Sequence, residues 1–166
     1  MIKSGVRRQL SLYVPEQAAV TLEAVRARLD PIQYRLIPSH VTLCREKEIS
    51  TLTGVDISSA LRGASLGPIK LAFGRAETFD GHGVRLPCIA GEDVFARLRE
   101  RLLGPALVFK EAPHITLAHP RNERSRSHDF NAALDLPPEI EITFPIVSLI
   151  EQTNGEEWRV LGRYRL

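Results

Sequence analysis

His40-Val41-Thr42-Leu43 returns 74 residues later as His114-Ile115-Thr116-Leu117. A coincidental pair in a chain of this composition is on the order of one in ten thousand. The repeat constrains the fold first, because two copies of one strand-like tetrapeptide must occupy equivalent settings. Residues i and i+2 of an extended strand share a face. His40 with Thr42, and His114 with Thr116, then point one way, while Val41, Leu43, Ile115 and Leu117 point into a core. A lone His-x-Thr pair is ordinarily a locally satisfied structural feature. Packing gives no reason to repeat two polar positions at matched places, whereas chemistry does.

Sliding the chain by that offset aligns more than the tetrapeptides. Leu12 falls on Leu86 and Leu29 on Leu103, and each histidine follows its leucine by 11 residues. Ala18, Leu22, Val25 and Leu29 make one buried helical stripe behind Pro15 and Glu16. Val94, Phe95, Leu98 and Leu102 make the other. Glu92 and Asp93 open this second helix and Arg97, Arg99 and Arg101 follow, as its dipole favours; the arginines are predicted to form a solvated face. Strands are predicted over Gln9–Val14 and Val84–Ile89 before the helices. Short helical stretches over Ile57–Arg62 and Phe130–Leu134 lead to strands Ile69–Phe73 and Ile140–Ile150. Asp80-Gly81-His82-Gly83 and Thr153-Asn154-Gly155-Glu156 carry hairpin turn residues, and Trp158–Leu166 is the last strand.

The repeated unit is thus β-α-β-α-β, read twice, over approximately residues 10–75 and 84–150. This predicts an α+β fold: a single bilobal domain over 1–166 with an approximate two-fold axis, antiparallel sheets lining a central cleft and helices outside. Equivalent positions of the two lobes can then face one central ligand.

A net charge of +2 excludes wholesale attraction to long nucleic acid. Arg121, Arg124 and Arg126 still offer a local patch in the polar loop Arg121–Asp129, so small or terminal phosphates suit the chain better than duplex DNA. Lys3, Arg7 and Arg8 precede only the short apolar run Leu10–Val14, too brief for a secretory signal or a membrane span. A cytoplasmic monomer with no membrane association is expected. Cys44 and Cys88 read as thiols rather than a bridge. Alternation places Cys44 on the His/Thr face, but its counterpart is Ala118, which argues against a nucleophile.

Imidazole gives or takes a proton near neutral pH, and a threonine hydroxyl donates to an oxygen without adding charge. Two facing pairs supply an acid, a base and two neutral donors, a sufficient kit for phosphodiester cleavage. A zinc site is the first rival. His114 and His119 lack a third ligand at fixed spacing, and their odd separation sends His119 to the opposite face. His82 reads as a turn residue and His128 as a surface one, so no metal and no cofactor are expected.

The twinned pattern resembles the two-histidine (2H) phosphoesterase superfamily, in particular its 2′-5′ RNA ligase-like and cyclic phosphodiesterase branches. The likeness spans nearly the whole chain, including the N-terminal strand running into Pro15, the segment Pro113-His114-Ile115-Thr116-Leu117-Ala118 and the ending Gly155-Glu156-Glu157-Trp158-Arg159-Val160-Leu161. It implies a bilobal fold, no metal, and action on 2′,3′-cyclic phosphates or 2′-5′ linkages, with RNA ends or small nucleotide cyclic phosphates as partners. It further implies that His40 is the general acid, His114 the general base, and that Thr42 and Thr116 hold phosphate oxygens. Near-symmetry leaves acid and base interchangeable. Two departures stand out: Cys44-Arg45-Glu46-Lys47-Glu48 replaces an aromatic-Leu-Gly continuation, and His119 stands where many members carry an arginine. Arg121 or a protonated His119 is the candidate substitute for that phosphate contact. The alternative from a different class is a non-catalytic RNA- or nucleotide-phosphate-binding module using the same cleft.

Overall fold

The computed structural model describes residues 5–64, 66–104, 112–126 and 131–166. Lys3, His128, Phe130 and the end of the polar loop at Asp129 lie outside them. In chain order the elements are β1 (Val6–Tyr13), α1 (Glu16–Leu29), α2 (Pro31–Leu36), β2 (His40–Cys44), α3 (Glu46–Ile49), α4 (Gly54–Ala64), β3 (Ile69–Phe73), β4 (Glu77–Phe79) and β5 (Gly83–Ala90). There follow α5 (Glu92–Leu103), β6 (His114–Ala118), α6 (Asn131–Leu134), β7 (Ile140–Phe144), β8 (Ile146–Thr153) and β9 (Arg159–Arg165). No helix among the described residues is long and apolar enough to cross a membrane.

The helical stripes pack as periodicity demands. Leu22, Val25 and Leu29 of α1 and Phe95, Leu98 and Leu102 of α5 are buried. The stripe on α5 also includes Arg99, which is 2 % exposed and not part of a solvated face as expected. It lies four residues after Phe95, on the same helical face, and its charge is met inside the protein. Arg97 lies on the exposed face as expected, paired there with Asp93. The short helix α2 was not anticipated; Pro31 occupies its first turn and the Asp30 carboxylate caps it by accepting from the Gln33 N–H at 3.0 Å.

The strands among the described residues join in the order β7-β3-β5-β6-β2-β1-β8-β9, with β4 beside β5, and every pairing is antiparallel. The two motif strands, β2 and β6, are neighbours at the centre. Outward from them the order is palindromic: β1 then β8 on one side, β5 then β3 on the other. Each side takes two strands from one sequence repeat and its third from the other. The helices exchange likewise, α1 packing against β6 and α5 against β2 and β3.

Pro145 makes this exchange possible. The expected strand Ile140–Ile150 is two strands, because proline has no N–H for a ladder. β7 ends at Phe144 beside β3, whereas β8 begins at Ile146 opposite Arg165 of β9 and runs beside β1 from Ser148 onward. One residue cannot span a flat sheet that wide, since consecutive Cα atoms are about 3.8 Å apart, so the sheet curls until its two ends approach. Asp80 and Gly81 between β4 and β5, and Asn154 and Gly155 between β8 and β9, all adopt positive φ, as the hairpin reading required.

Candidate active site

Val41 and Ile115 face each other across the β2–β6 ladder and are fully buried, with Leu43 and Leu117 no more than 1 % exposed. In an antiparallel pair the flanking residues are also opposite. His40 therefore stands across from Thr116, and Thr42 across from His114, all four on the face that is only partly buried. The histidines occupy one diagonal of this block, with Cα atoms about 7–8 Å apart by ladder geometry, and the threonines the other.

The imidazoles are held in the same way. His40 Nδ1 lies 2.8 Å from the carbonyl oxygen of Pro38, and His114 Nδ1 lies 3.2 Å from that of Ala112, each two residues upstream. A carbonyl oxygen only accepts, so each Nδ1 carries a hydrogen and proton exchange falls to each Nε2. An aromatic edge steadies each ring: Tyr13 meets His40 at 6.2 Å between centroids, and Phe79 meets His114 at 5.5 Å. Phe79 reaches that place because Gly83 opposite it has no side chain; a Cβ there would come within 2.7 Å of a ring carbon.

Burial lowers the His40 pKa from 6.5 to about 4, with the Arg26 and His114 charges adding to the effect and the Pro38 carbonyl and Glu23 opposing it. His40 is accordingly neutral at pH 7. Burial also pushes the Tyr13 phenol up to about 12 against the pull of Arg163.

Both motif strands slip register at the same station. Cys44 pairs with Leu10 but Thr42 with Ser11, and Ala118 pairs with Val84 but Thr116 with Arg85. One extra residue in each motif strand, Leu43 or Leu117, makes a bulge. The bulge rotates Cys44 off the His/Thr face and into the core, where it is fully buried with Ala118; strict alternation put it on the wrong side. Arg99 donates to the Leu43 carbonyl and pairs with Glu48. At the other end of β2, Arg26 donates to the Ile37 carbonyl at 2.8 Å and to Glu23 at 2.8 Å, and Glu23 accepts from the Ser39 N–H at 2.5 Å. Two buried arginines thus brace the segments flanking His40 and Thr42. Aligned on their buried stripes, Arg26 of α1 and Arg99 of α5 occupy equivalent helical positions.

His119 and Arg121 lie in the turn beyond β6. Asp30 ties that turn to α1 and α2, accepting from the His119 N–H at 2.9 Å and from Asn122 Nδ2 at 2.7 Å. His119 Nδ1 accepts from the Arg121 N–H at 3.2 Å. Burial and the Arg121 charge hold the His119 pKa below its usual value, which disfavours the charge that a stand-in for arginine requires. The sequence reading passed over Tyr13 and Arg85, which share ladder rows with His40 and Thr116 respectively. Their signal was available in strand alternation, but only once strand pairing was known.

The model of the 2′-5′ RNA ligase superfamily matches residues 14–156. No protein with a curated description matches the chain. Among solved structures, LigT of E. coli complexed with NADP+ is similar at a TM-score of 0.59 with 16% identity, covering 99% of both chains. A structure described as a phosphoesterase gives 0.61 with 16% identity, covering 98% of this chain and 99% of the other. TT0787 of Thermus thermophilus gives 0.55 with 20% identity, covering 96% of this chain and 97% of the other.

Proposed function

The chain belongs to the 2′-5′ RNA ligase superfamily, and from that premise we propose that it is a metal-independent phosphoesterase hydrolysing 2′,3′-cyclic phosphates of RNA ends or nucleotides to 2′-phosphates. The observation that carries this reading is the two-by-two block of histidines and threonines on adjacent central strands, with each Nδ1 engaged by a backbone carbonyl so that proton exchange falls to each Nε2. LigT has been crystallised with NADP+, ATP, 3′-AMP and phosphate, ligands of the same chemical class as the substrate proposed here.

In the proposed step water attacks phosphorus while the bond from phosphorus to the ribose 3′-oxygen breaks. One imidazole takes the water proton and the other protonates the departing oxygen, and solvent restores both afterwards. His40, kept neutral by burial, is the better equipped base, and His114 the acid. This reverses the assignment taken from the family resemblance. Thr42 and Thr116 donate to non-bridging oxygens, where charge builds as the transition state forms. With the 5′-hydroxyl of an RNA in place of water, the same arrangement would form a 2′-5′ linkage.

The test is incubation with 2′,3′-cyclic mononucleotides in EDTA. A 2′-monophosphate should accumulate, and His40→Ala and His114→Ala should each abolish it. Binding without turnover across cyclic and 2′-5′-linked substrates would instead make the cleft a phosphate-reading module.

A further inference from the structure

Position 85 breaks the symmetry of the histidine–threonine block. Ser11 is the ladder partner of Thr42, and the corresponding partner of Thr116 is Arg85. The same station therefore carries a hydroxyl on one side and a guanidinium on the other. On the first side Ser11 and its own neighbour Ser148 are both buried, at 0% and 2% exposure. On the second side Arg85 is only partly covered and shares a face with Thr116.

The guanidinium is fixed before any ligand arrives. Arg85 Nε donates to Glu77 Oε1 at 2.8 Å from the facing position on β4. Its central carbon lies 4.9 Å from the centroid of Phe79, whose ring in turn meets His114. The terminal amino groups of Arg85 make no other hydrogen bond among the described residues. Arginine presents a planar fork that matches the oxygens of a phosphate. The turn beyond β6 supplies no arginine at position 119, and the His119 imidazole there is a poor cation.

We propose that Arg85 is the cation that grips the non-bridging oxygens of the substrate's phosphoryl group beside Thr116. This rests on the reading that the histidine block receives a phosphoryl group. A grip from one side also chooses between the two ways a phosphodiester could lie across a near-symmetrical block. The non-bridging oxygens turn toward β5, so that a given histidine always meets the leaving ribose oxygen.

Binding and turnover test this separately. Titration calorimetry with adenosine 2′-monophosphate and with inorganic phosphate should show Arg85→Met weakening affinity by about 10-fold or more, the scale of a lost charge-assisted contact. Arg85→Lys, which keeps the charge without the fork, should fall in between. Parent affinity should also decline more steeply with salt than that of Arg85→Met. Arg97→Met, which loses a surface pair on α5, should match the parent. In the cyclic-nucleotide assay Arg85→Met should lose about 10- to 100-fold in kcat/KM. Unchanged phosphate affinity in a folded Arg85→Met protein, or a parent that binds neither probe, overturns the proposal. A parent that binds both probes through Arg85 but turns over no substrate overturns the enzymatic reading and leaves the grip standing.

Discussion

Arg99, on a helix of the second sequence repeat, donates to the carbonyl of Leu43 in the motif strand of the first. Leu43 is where the β2 register slips, so its carbonyl needs a partner outside the ladder. The same guanidinium meets the Glu48 carboxylate. Burial works to raise the Glu48 pKa, but hydrogen bonds from Arg99 and the Arg45 backbone outweigh it and the net shift is downward.

Arg99→Met should cost about 3–5 kcal/mol, because it strands a buried carboxylate. Adding Glu48→Gln should recover part of that loss, since neutralising the partner removes the uncompensated charge. Urea unfolding of both proteins checks this, and a double variant no more stable than Arg99→Met would show that the ion pair is not what Arg99 contributes.

As the proposed base, His40 should set the acid limb of the rate. For the free enzyme, kcat/KM reports the titration of the essential base. With the His40 pKa near 4 instead of 6.5, activity should persist as pH falls below 6.5 and decline only as pH approaches about 4. A limb centred at 6.5 or above would reassign the base.

The same shift links stability to pH. As pH falls, the unfolded chain takes up the proton at its ordinary 6.5 while folded His40 resists until about 4. Between those values the unfolded state binds more protons, so stability falls as pH falls through that window. Replacing His40 with glutamine removes this contribution. Thermal melts from pH 7 to pH 4 should fall less steeply for His40→Gln than for the parent, and parallel curves would contradict the burial of this imidazole.

Cys44 sits in the core behind the bulge. Cys44→Ala should therefore keep turnover within a few-fold of the parent while lowering stability by about 1–2 kcal/mol, a small buried truncation. Loss of turnover in a folded Cys44→Ala protein would restore the thiol to the chemistry.

Legibility followed the range of each interaction. His40, Thr42, His114 and Thr116 could be read on one face because a two-residue period is local, and so could the stripes Leu22-Val25-Leu29 and Phe95-Leu98-Leu102. The break at Pro145 was readable in principle, since a proline cannot sit inside a central strand. The bulges at Leu43 and Leu117 were not, because a bulge is a relation between two strands and leaves no periodic trace in either. Arg99 looked like a solvated residue because its partners, Leu43 and Glu48, come from the other repeat. Arg85 needed the β5–β6 register before it could be placed beside Thr116.

In the proposed step Thr42 and Thr116 act through a neutral hydroxyl, which should give them a signature distinct from the histidines. Valine keeps the shape of threonine and replaces the hydroxyl with a methyl, and both sites lie on the partly exposed face, so the fold should survive. Donors aimed where charge develops affect the transition state more than the bound substrate. Thr42→Val and Thr116→Val should each lower kcat by about 10- to 100-fold on 2′,3′-cyclic nucleotides, with KM changing less. Neither residue titrates, so the acid limb of kcat/KM should stay in place. A displaced acid limb in Thr116→Val would mean that the substitution disturbed His40, the imidazole facing it across the ladder. A loss smaller than twofold in both variants would remove the threonines from the proposed step.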